Sequence, residues 1–406
     1  MTTKSAIAGT SRHSHIDYSL QPTRWFLKPI GAWPAMATTS TCERVLSIVS
    51  NVICYSSLLF VVIICLPHAF LEADSVYTKL KSLGPVSHWF VSSINYTTLL
   101  LRRREIRYCV EHMETDWRTT TREKDQEVML KYAKLGRYVA TFCAAFMQGG
   151  VLSFCVVQAL STEVILVGNE TRIVHALPCP VYKKLMNVDD SPANEIILFT
   201  QIWSAFIANT STVGIFNLAA ILAAHACGQL NIVMEKITEF VNESRNRRRA
   251  AALKELGLIV EHHLKTLNFI SCIEEVMNRI CFFELFRCTL VICIIGYWIL
   301  MDWADQNTKN LTTCVMMFMA ICFNIFIMCY IGEILTEQCK KVGDVVYMTN
   351  WYHLPEKIIL HLILIIARSS VVVEITAGKL VHMTLYTFGD VIKTGFVYLN
   401  FLRKMS

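Results

Sequence analysis

Few clusters of side chains in this sequence have the types and spacing that chemistry needs. Glu261–His263 reads Glu-His-His, whereas a zinc-binding helix needs two histidines four residues apart. His225 and Cys227 supply only two ligands. Thr376–Lys379 lacks both the first glycine and the Ser or Thr after the lysine that a phosphate-binding loop requires. The sequence therefore predicts no enzyme, no cofactor and no metal site.

Two pairs of opposite charges stand inside apolar stretches. Glu284 and Arg287 are three residues apart, and so are Asp390 and Lys393. Side chains at this spacing share a helix face, so each pair can form an ion pair. Ionisable groups in hydrocarbon are costly and normally face protein or water. For Asp390 and Lys393 a second interpretation, lining an aqueous vestibule, stays open.

The composition predicts a polytopic membrane protein. Of the 406 residues 54% are hydrophobic and only 17% are charged, against about 25% charged in an ordinary soluble domain. The net charge of +6 is spread over separate loops, which does not predict a nucleic-acid partner. The sixteen cysteines form no CxxC pair and no evident disulfide framework. We see no signal peptide and expect the first span to act as the targeting signal.

Seven stretches are long enough to cross a bilayer as helices, although the second and the seventh carry many polar residues. They are 45–66, 83–101, 138–160, 196–224, 280–301, 311–332 and 380–402. We expect an all-α protein divided into an N-terminal arm (1–44), a six-span bundle (45–335), anchor helices (336–379) and a seventh, pore-lining helix with a short tail (380–406).

The segments between the spans are predicted as follows. Pro22, Pro29 and Pro34 break any long helix in the arm, which should pack loosely. The charged stretches 102–134 and 223–279 should be helices outside the membrane. Within the anchor, the apolar run Ile358–Ala367 is too short for a span and predicts a buried helix.

The distribution of Lys and Arg predicts a cytoplasmic N-terminus and an extracellular C-terminus. Most of these residues near the spans fall in 1–44, 102–134, 223–269 and 336–381, and cytoplasmic loops carry the excess of positive charge. A sequon at Asn169 falls on the outer face. A G-protein-coupled receptor has the opposite orientation and characteristic motifs that are missing here. A secondary transporter would show internal repeats, which we do not find.

The C-terminal sixty residues resemble the insect odorant receptors, and so does one stretch after the fourth span. The likeness lies in Trp351–Pro355, Ile365–Ser369, Thr376–Leu380, Ile392–Thr394 with Tyr398 and Leu402-Arg403, and His225–Leu230. The chain departs from the family pattern at Leu380, where Phe is usual, and at Phe401, which is bulkier than usual. The gustatory receptors, which remain the alternative, would show Thr where Val397 stands.

This resemblance implies a subunit of a tetrameric, ligand-gated, non-selective cation channel. Its partners would be a shared co-receptor subunit in a heterotetramer, a small volatile odorant, membrane lipid and permeant cations, with no nucleic acid. The chain would be the ligand-tuning type of subunit. Its location would be the plasma membrane of sensory neuron dendrites.

The resemblance also places the last helix at the pore. Tyr398, Asn400 and Phe401 fall where the family's pore narrows. A ring of bulky apolar side chains can close a pore by dewetting, so we expect Phe401 to be the gate and Asn400 its polar neighbour. Thr394, with Asp390 and Lys393, would face the pore further in. The alternative that Phe401 merely packs against another helix stays open.

An odorant pocket is expected in the outer half of the bundle. Such a site should be lined by apolar and aromatic side chains with few polar groups, and flexible methionines suit it. The candidates are spaced on one face of each span, and any one of them can instead be a packing residue. They are His88, Trp89, Ser92 and Tyr96; Met147, Gly150, Val151 and Phe154; Phe199, Trp203, Phe206 and Ile207; and Met316 and Met317.

Overall fold

The computed structural model describes residues 2–36, 39–72, 76–167, 170–243, 249–304, 308–371 and 373–405. It is almost entirely helical. The helices are α1 (Thr2–Leu27), α2 (Thr41–Leu71), α3 (Val76–Leu101), α4 (Arg103–Thr119), α5 (Glu123–Leu160), α6 (Ala193–Glu243), α7 (Arg249–Ala304), α8 (Thr308–Met348), α9 (Glu356–Ser370) and α10 (Leu385–Met405). A short 3-10 turn, Trp351–His353, precedes α9.

The first six predicted spans lie within helices. The seventh, predicted over 380–402, becomes helical only at Leu385, because Val381 and His382 form a strand before it. Within the described residues, α2, α5, α6, α7 and α8 contain stretches long and apolar enough to cross a membrane by length and composition. The remaining two, α3 and α10, are the helices whose polar side chains lower their hydropathy. Both pack against α7. Polar groups on a spanning helix are stable when they face protein or water.

Helix α6 is the centre of the bundle. Every side chain from Ile207 to Leu230 is buried, and α2, α3, α5, α7 and α8 all contact it. Small residues allow close approach: a Cβ added to Gly136 of α5 would lie 2.8 Å from the Cβ of Ala224. Because α6 has no face towards lipid along this length, its polar residues are all held inside the protein.

Helices α6, α7 and α8 run without interruption beyond the apolar spans, as the charged stretch 223–279 predicted for the first two. Their extensions are joined to the neighbouring helices by ion pairs, such as Arg122 to Glu239 at 2.6 Å. Asp116 on α4 accepts hydrogen bonds from His225 at 3.1 Å and Lys265 at 2.5 Å. Burial raises the pKa of Asp116, but the hydrogen bonds from His112 and His225 outweigh it and hold this pKa well below its usual range.

The prediction of a loosely packed N-terminal arm was wrong. Residues Thr2–Leu27 form a helix that continues through Pro22, and Ile16, Leu20 and Leu27 are at most 2% exposed. This helix lies against α6, where the Leu27 side chain fills the space beside Gly214. The polar average of the arm concealed a small number of apolar residues at helical spacing.

Two hairpins were not predicted. Strands β1 (Thr162–Val167) and β2 (Glu170–His175) pair antiparallel, with Thr162 opposite His175, in what we expected to be a loop. Asn169, the predicted glycosylation site, lies outside the described residues. Strands β3 (Thr376–Ala377) and β4 (Val381–His382) form a second hairpin just before α10. Its turn needs positive φ at Gly378 (61°) and Lys379 (60°), which explains the glycine by backbone geometry.

Candidate binding site and pore helix

Helix α3 presents two buried donors that have no hydrogen-bond partner among the described residues. They are the indole Nε1 of Trp89 and the hydroxyl of Ser92, on side chains 2% and 1% exposed. They are three residues apart and so share a helix face. His88 beside them is half-buried. Because an unpaired buried donor is costly, this face suits a ligand that carries a hydrogen-bond acceptor.

Tyr96 does not share this environment, although its spacing predicted that it would. It is fully buried, and its hydroxyl lies 2.5 Å from the carbonyl oxygen of Ile30 and 2.7 Å from Oδ1 of Asn51. These partners belong to the segment after α1 and to the first half of α2. The structure therefore places Tyr96 at the end of the bundle near α1, away from Trp89.

A buried ion pair within α7 accepts a hydrogen bond from α3 and so connects the two helices. Arg287 donates from Nε at 3.0 Å and from Nη2 at 2.6 Å to Oε2 of Glu284, which confirms the pairing expected from the spacing. Asn95 of α3 donates to the other carboxylate oxygen at 2.7 Å. All three residues are at most 6% exposed. The sequence did not single out Asn95, whose partner lies 189 residues away.

In the second half of α5, Gly150 lies beside open space. Met147 is buried, and Val151 and Phe154 are half-buried. A Cβ added to Gly150 would meet no atom within 4 Å. The neighbouring Gln148 accepts a hydrogen bond from the Asn209 side chain of α6. The sequence analysis missed this polar contact because Asn209 and Gln148 form no recognisable motif. Amide side chains within apolar spans are the signal that could have indicated it.

The predicted residues of α6 and α8 divide between two faces. Ile207 is buried, whereas Phe199 (68%), Trp203 (45%) and Phe206 (43%) are exposed on the surface of the chain. The structure does not bring these three aromatic residues together with Trp89 and Ser92. A lipid-facing side is as apolar as a pocket-facing side, so helical spacing alone does not separate the two.

On α8, Met316 is 55% exposed and Met317 is half-buried. Met317 packs against the smaller apolar cluster formed by α7, α8 and α10, which includes Trp298 and Cys314. Of the two methionines, Met317 therefore faces the interior.

Helix α10 has one buried face, formed by Thr387, Val391, Gly395 and Leu399 at four-residue intervals. This face packs on α7. A Cβ on Gly395 would lie 2.5 Å from Ile292, and one on Gly296 would lie 3.1 Å from Leu399. The two glycines therefore let the helices approach closely, each beside a branched side chain of the other helix.

The other side chains of α10 that the structure describes, up to Asn400, are exposed or half-buried in the single chain. Thr394, Tyr398 and Asn400 lie on this side, as do Asp390 and Lys393, whose charged groups are 3.6 Å apart. Lys393 also lies 6.0 Å from the ring centre of Tyr386. The side chain of Phe401 lies outside the described residues, so its predicted role as a gate stays a prediction.

A groove of about 740 Å³ lies elsewhere, between the extramembrane ends of α6 and α8. Its lining mixes charges of both signs, from Glu337 and Asp344 to Lys340 and Lys341. A volatile apolar ligand needs a mostly apolar site. This groove therefore fits a solvated surface between helix ends and not the predicted pocket.

The helices and their buried polar groups define a polytopic, all-α membrane protein. Residues 75–396 match the family model described as 7tm Odorant receptor, and the chain belongs to the insect odorant receptor family. Family membership confirms that this is a receptor and not an enzyme. It also confirms the resemblance seen in the C-terminal residues.

Relatives and a solved structure agree. Odorant receptor Or2 of Anopheles gambiae is 20% identical over 84% of this chain and 91% of its own length. Odorant receptor 10 of Aedes albopictus is 21% identical over 57% of this chain and 61% of its own length. The insect olfactory receptor OR5 from Machilis hrabei, at 15% identity, superposes on 96% of this chain and all of its own with a TM-score of 0.81. A second structure of OR5, in complex with eugenol, has a TM-score of 0.78.

Proposed function

We propose that this chain is the ligand-tuning subunit of a ligand-gated, non-selective cation channel. It assembles with a shared co-receptor subunit in a heterotetramer in the plasma membrane of sensory neuron dendrites, with its N-terminus in the cytoplasm. The family membership and the likeness to a receptor solved with eugenol support this proposal. The alternative, a gustatory-type channel, is not favoured by any relative named above.

The observation that carries the ligand assignment is the pair of unpartnered donors on α3. Trp89 and Ser92 are buried near the middle of α3, which begins at the outer face in the orientation that the charge distribution predicts. On α5, we propose that the partly buried Val151 and Phe154, beside the open space at Gly150, supply the apolar lining. The ligand is therefore a small, mostly apolar volatile molecule with one acceptor, such as a carbonyl, ether or hydroxyl oxygen.

Helix α7 connects the ligand side to the pore side. It is tied to α3 through Asn95 and Glu284, and it packs on α10 through Ile292 and Gly296. A ligand that moves α3 relative to α7 thus changes the surface on which α10 rests. Because a ligand shifts an equilibrium only by its differential affinity for the two states, we expect the α3 contacts to be stronger in the open state.

The exposed side of α10 then lines a shared pore. Thr394, Asn400 and Tyr398 provide its polar surface, and Phe401 is the proposed apolar gate. Removing that side chain in Phe401→Ala should raise the basal leak, because a wetted constriction no longer blocks ions. An unchanged closed state would overturn the gate assignment.

The ligand assignment is tested by concentration–response measurements in cells that co-express the shared co-receptor. Trp89→Phe keeps an aromatic ring but removes the donor, and Ser92→Ala removes the hydroxyl. Loss of one hydrogen bond, about 1 kcal/mol, should raise the half-maximal concentration of an acceptor-bearing agonist about five-fold. Trp203→Phe, on the exposed face of α6, is the matched control and should leave it unchanged.

For an agonist without a hydrogen-bond acceptor, wild type and Trp89→Phe should have the same half-maximal concentration. If the control variant Trp203→Phe weakens the response and Trp89→Phe does not, the site lies on the outward face of α6 and the α3 assignment is wrong.

A further inference from the structure

We propose that Cys65 and Cys179 form a disulfide that links the outer end of α2 to the segment before α6. The two residues are 114 positions apart, yet both are completely buried and the side-chain amide of Gln201 contacts both of them. Both are free thiols in the structure. No disulfide was expected from the sequence, because the pair has no motif spacing.

Gln201 of α6 holds the two cysteines in place. Its Nε2 lies 2.9 Å from the carbonyl oxygen of Cys179 and 3.5 Å from Sγ of Cys65. Its Oε1 accepts a hydrogen bond from the backbone N–H of Cys179 at 3.1 Å. A single buried amide thus contacts both partners, which fixes their separation before any covalent bond forms.

The backbones beside the two cysteines are also joined. The N–H of Tyr182 donates to the carbonyl oxygen of Ile64 at 3.0 Å, one residue before Cys65. The thiol of Cys179 lies 3.7 Å from the carbonyl oxygen of Ser82. A disulfide forms without distortion only where the two chain segments already lie close together, and the hydrogen bond between Tyr182 and Ile64 holds the two segments beside each other.

The compartment decides whether the bond forms. This step depends on the proposed orientation, which places the end of α2 and the segment before α6 outside the cell. Thiols on that side pass through the oxidising lumen of the secretory pathway during synthesis, where disulfides form and persist. The chemistry is thiol–disulfide exchange: one cysteine attacks a disulfide of a luminal oxidoreductase and the other displaces it. Two protons and two electrons leave the receptor, and the oxidoreductase becomes a dithiol.

The same molecule contains a matched pair at its other end. The Sγ atoms of Cys109 on α4 and Cys272 on α7 are 3.2 Å apart, close to the end of the bundle that holds α1. In the proposed orientation these thiols face the reducing cytoplasm and stay reduced. Each pair thus brings together cysteines from distant parts of the chain, and the compartment is what differs between the two pairs.

The proposed bond would fix the segment between β2 and α6 against the end of α2. The cross-linked segment follows the β1–β2 hairpin and leads into α6, the central helix. Linking it to α2 restrains the chain between the β1–β2 hairpin and α6.

The test is differential alkylation of the full-length receptor, co-expressed with the shared co-receptor and isolated from the cell surface by biotinylation. Free thiols are blocked with N-ethylmaleimide in denaturant, disulfides are then reduced, and new thiols take an isotope-labelled maleimide before mass spectrometry. We expect the second label on Cys65 and Cys179, the first on Cys109 and Cys272, and a linked Cys65–Cys179 peptide in the non-reduced digest.

The first label on Cys65 and Cys179 in surface receptor would overturn the disulfide. If Cys109 and Cys272 are linked instead, the orientation is wrong as well, and an N-terminal epitope accessible on intact cells would show this separately. As a second measurement, Cys65→Ser, Cys179→Ser and the double variant should lower the thermal midpoint by the same amount, since each removes one bond. Additive shifts would contradict the link, and Cys109→Ser is the control.

Discussion

The buried ion pair between Glu284 and Arg287 gives the most quantitative prediction. Replacing Glu284 with Gln keeps its size and its acceptor for Asn95, but it leaves the guanidinium of Arg287, 4% exposed, without a counter-charge. Removing one partner from a buried pair costs about 3–5 kcal/mol. Asn95→Ala loses one hydrogen bond to a charged group, about 1.5–3 kcal/mol. The variant Glu284→Gln should therefore be the less stable of the two.

The double variant Glu284→Gln/Arg287→Met separates charge from packing. Replacing both charges by groups of similar volume is often neutral or stabilising, so we expect the double variant to recover most of the loss. Asp189→Asn is the control, because the pair between Lys183 and Asp189 is partly exposed and such pairs contribute at most about 1 kcal/mol.

Stability is measured as the thermal midpoint of the purified receptor in detergent, followed by fluorescence-detected size-exclusion chromatography. The expected order of loss is Glu284→Gln, then Asn95→Ala, then the double variant. If Glu284→Gln matches the control, or if the double variant is no more stable than Glu284→Gln, the pair does not stabilise the bundle as argued.

Three further predictions concern the hairpin, the extramembrane helices and the pore. Gly378→Ala should destabilise by at least about 1–2 kcal/mol because φ is positive there and a Cβ would lie 2.9 Å from Phe282; Lys379→Gly should be neutral or stabilising, and equal thermal midpoints would contradict this. Burial, and then Arg368, lower the pKa of His263 to about 4. Between pH 6.5 and 4, His263 is therefore protonated in the unfolded chain but neutral in the folded chain. The free energy of unfolding should fall by about 1.4 kcal/mol per pH unit as the pH is lowered across this range. Thermal midpoints across that range should be flatter for His263→Gln, and parallel curves would refute the assignment. Asp390→Asn should lower the single-channel cation conductance, and Asp390→Asn/Lys393→Gln should partly restore it. An unchanged conductance would contradict the interpretation that this pair lines an aqueous vestibule.

The helical architecture was predictable because its signals are local. Apolar stretches of sufficient length and the distribution of charge located all seven spans, and the periodicity past residue 224 predicted the extension of α6. The ion pair of Glu284 and Arg287 was predictable for the same reason, since both partners lie on one turn of one helix.

The remaining features depend on contacts that no local pattern contains. Tyr96 has the spacing of Trp89 and Ser92, but it is held by Ile30 and Asn51 from other segments. Cys65 and Cys179 lie 114 residues apart and are brought near each other by Gln201 of α6, which contacts both. The packed N-terminal helix depends on α6 in the same way.

The faces of a membrane helix form a separate case. In water an apolar stripe marks the buried side, but in lipid both sides of a helix are apolar. Helical spacing predicted that Phe199 and Trp203 share a face, but it does not tell whether that face is turned towards lipid or towards the interior of the bundle. Buried polar groups such as Ser92 and Asn95 are the better signal, because the cost of an unpaired polar group in hydrocarbon keeps them inside the protein.

The central claim, a ligand-gated cation channel subunit, is tested most directly by current recordings from cells that express this chain with and without the shared co-receptor. Exposure to a broad panel of acceptor-bearing volatiles should evoke a non-selective cation current in the co-expressing cells that persists when G-protein signalling is blocked. The absence of current across the panel, with the receptor shown at the cell surface, would contradict the account, and so would a current that G-protein blockade abolishes.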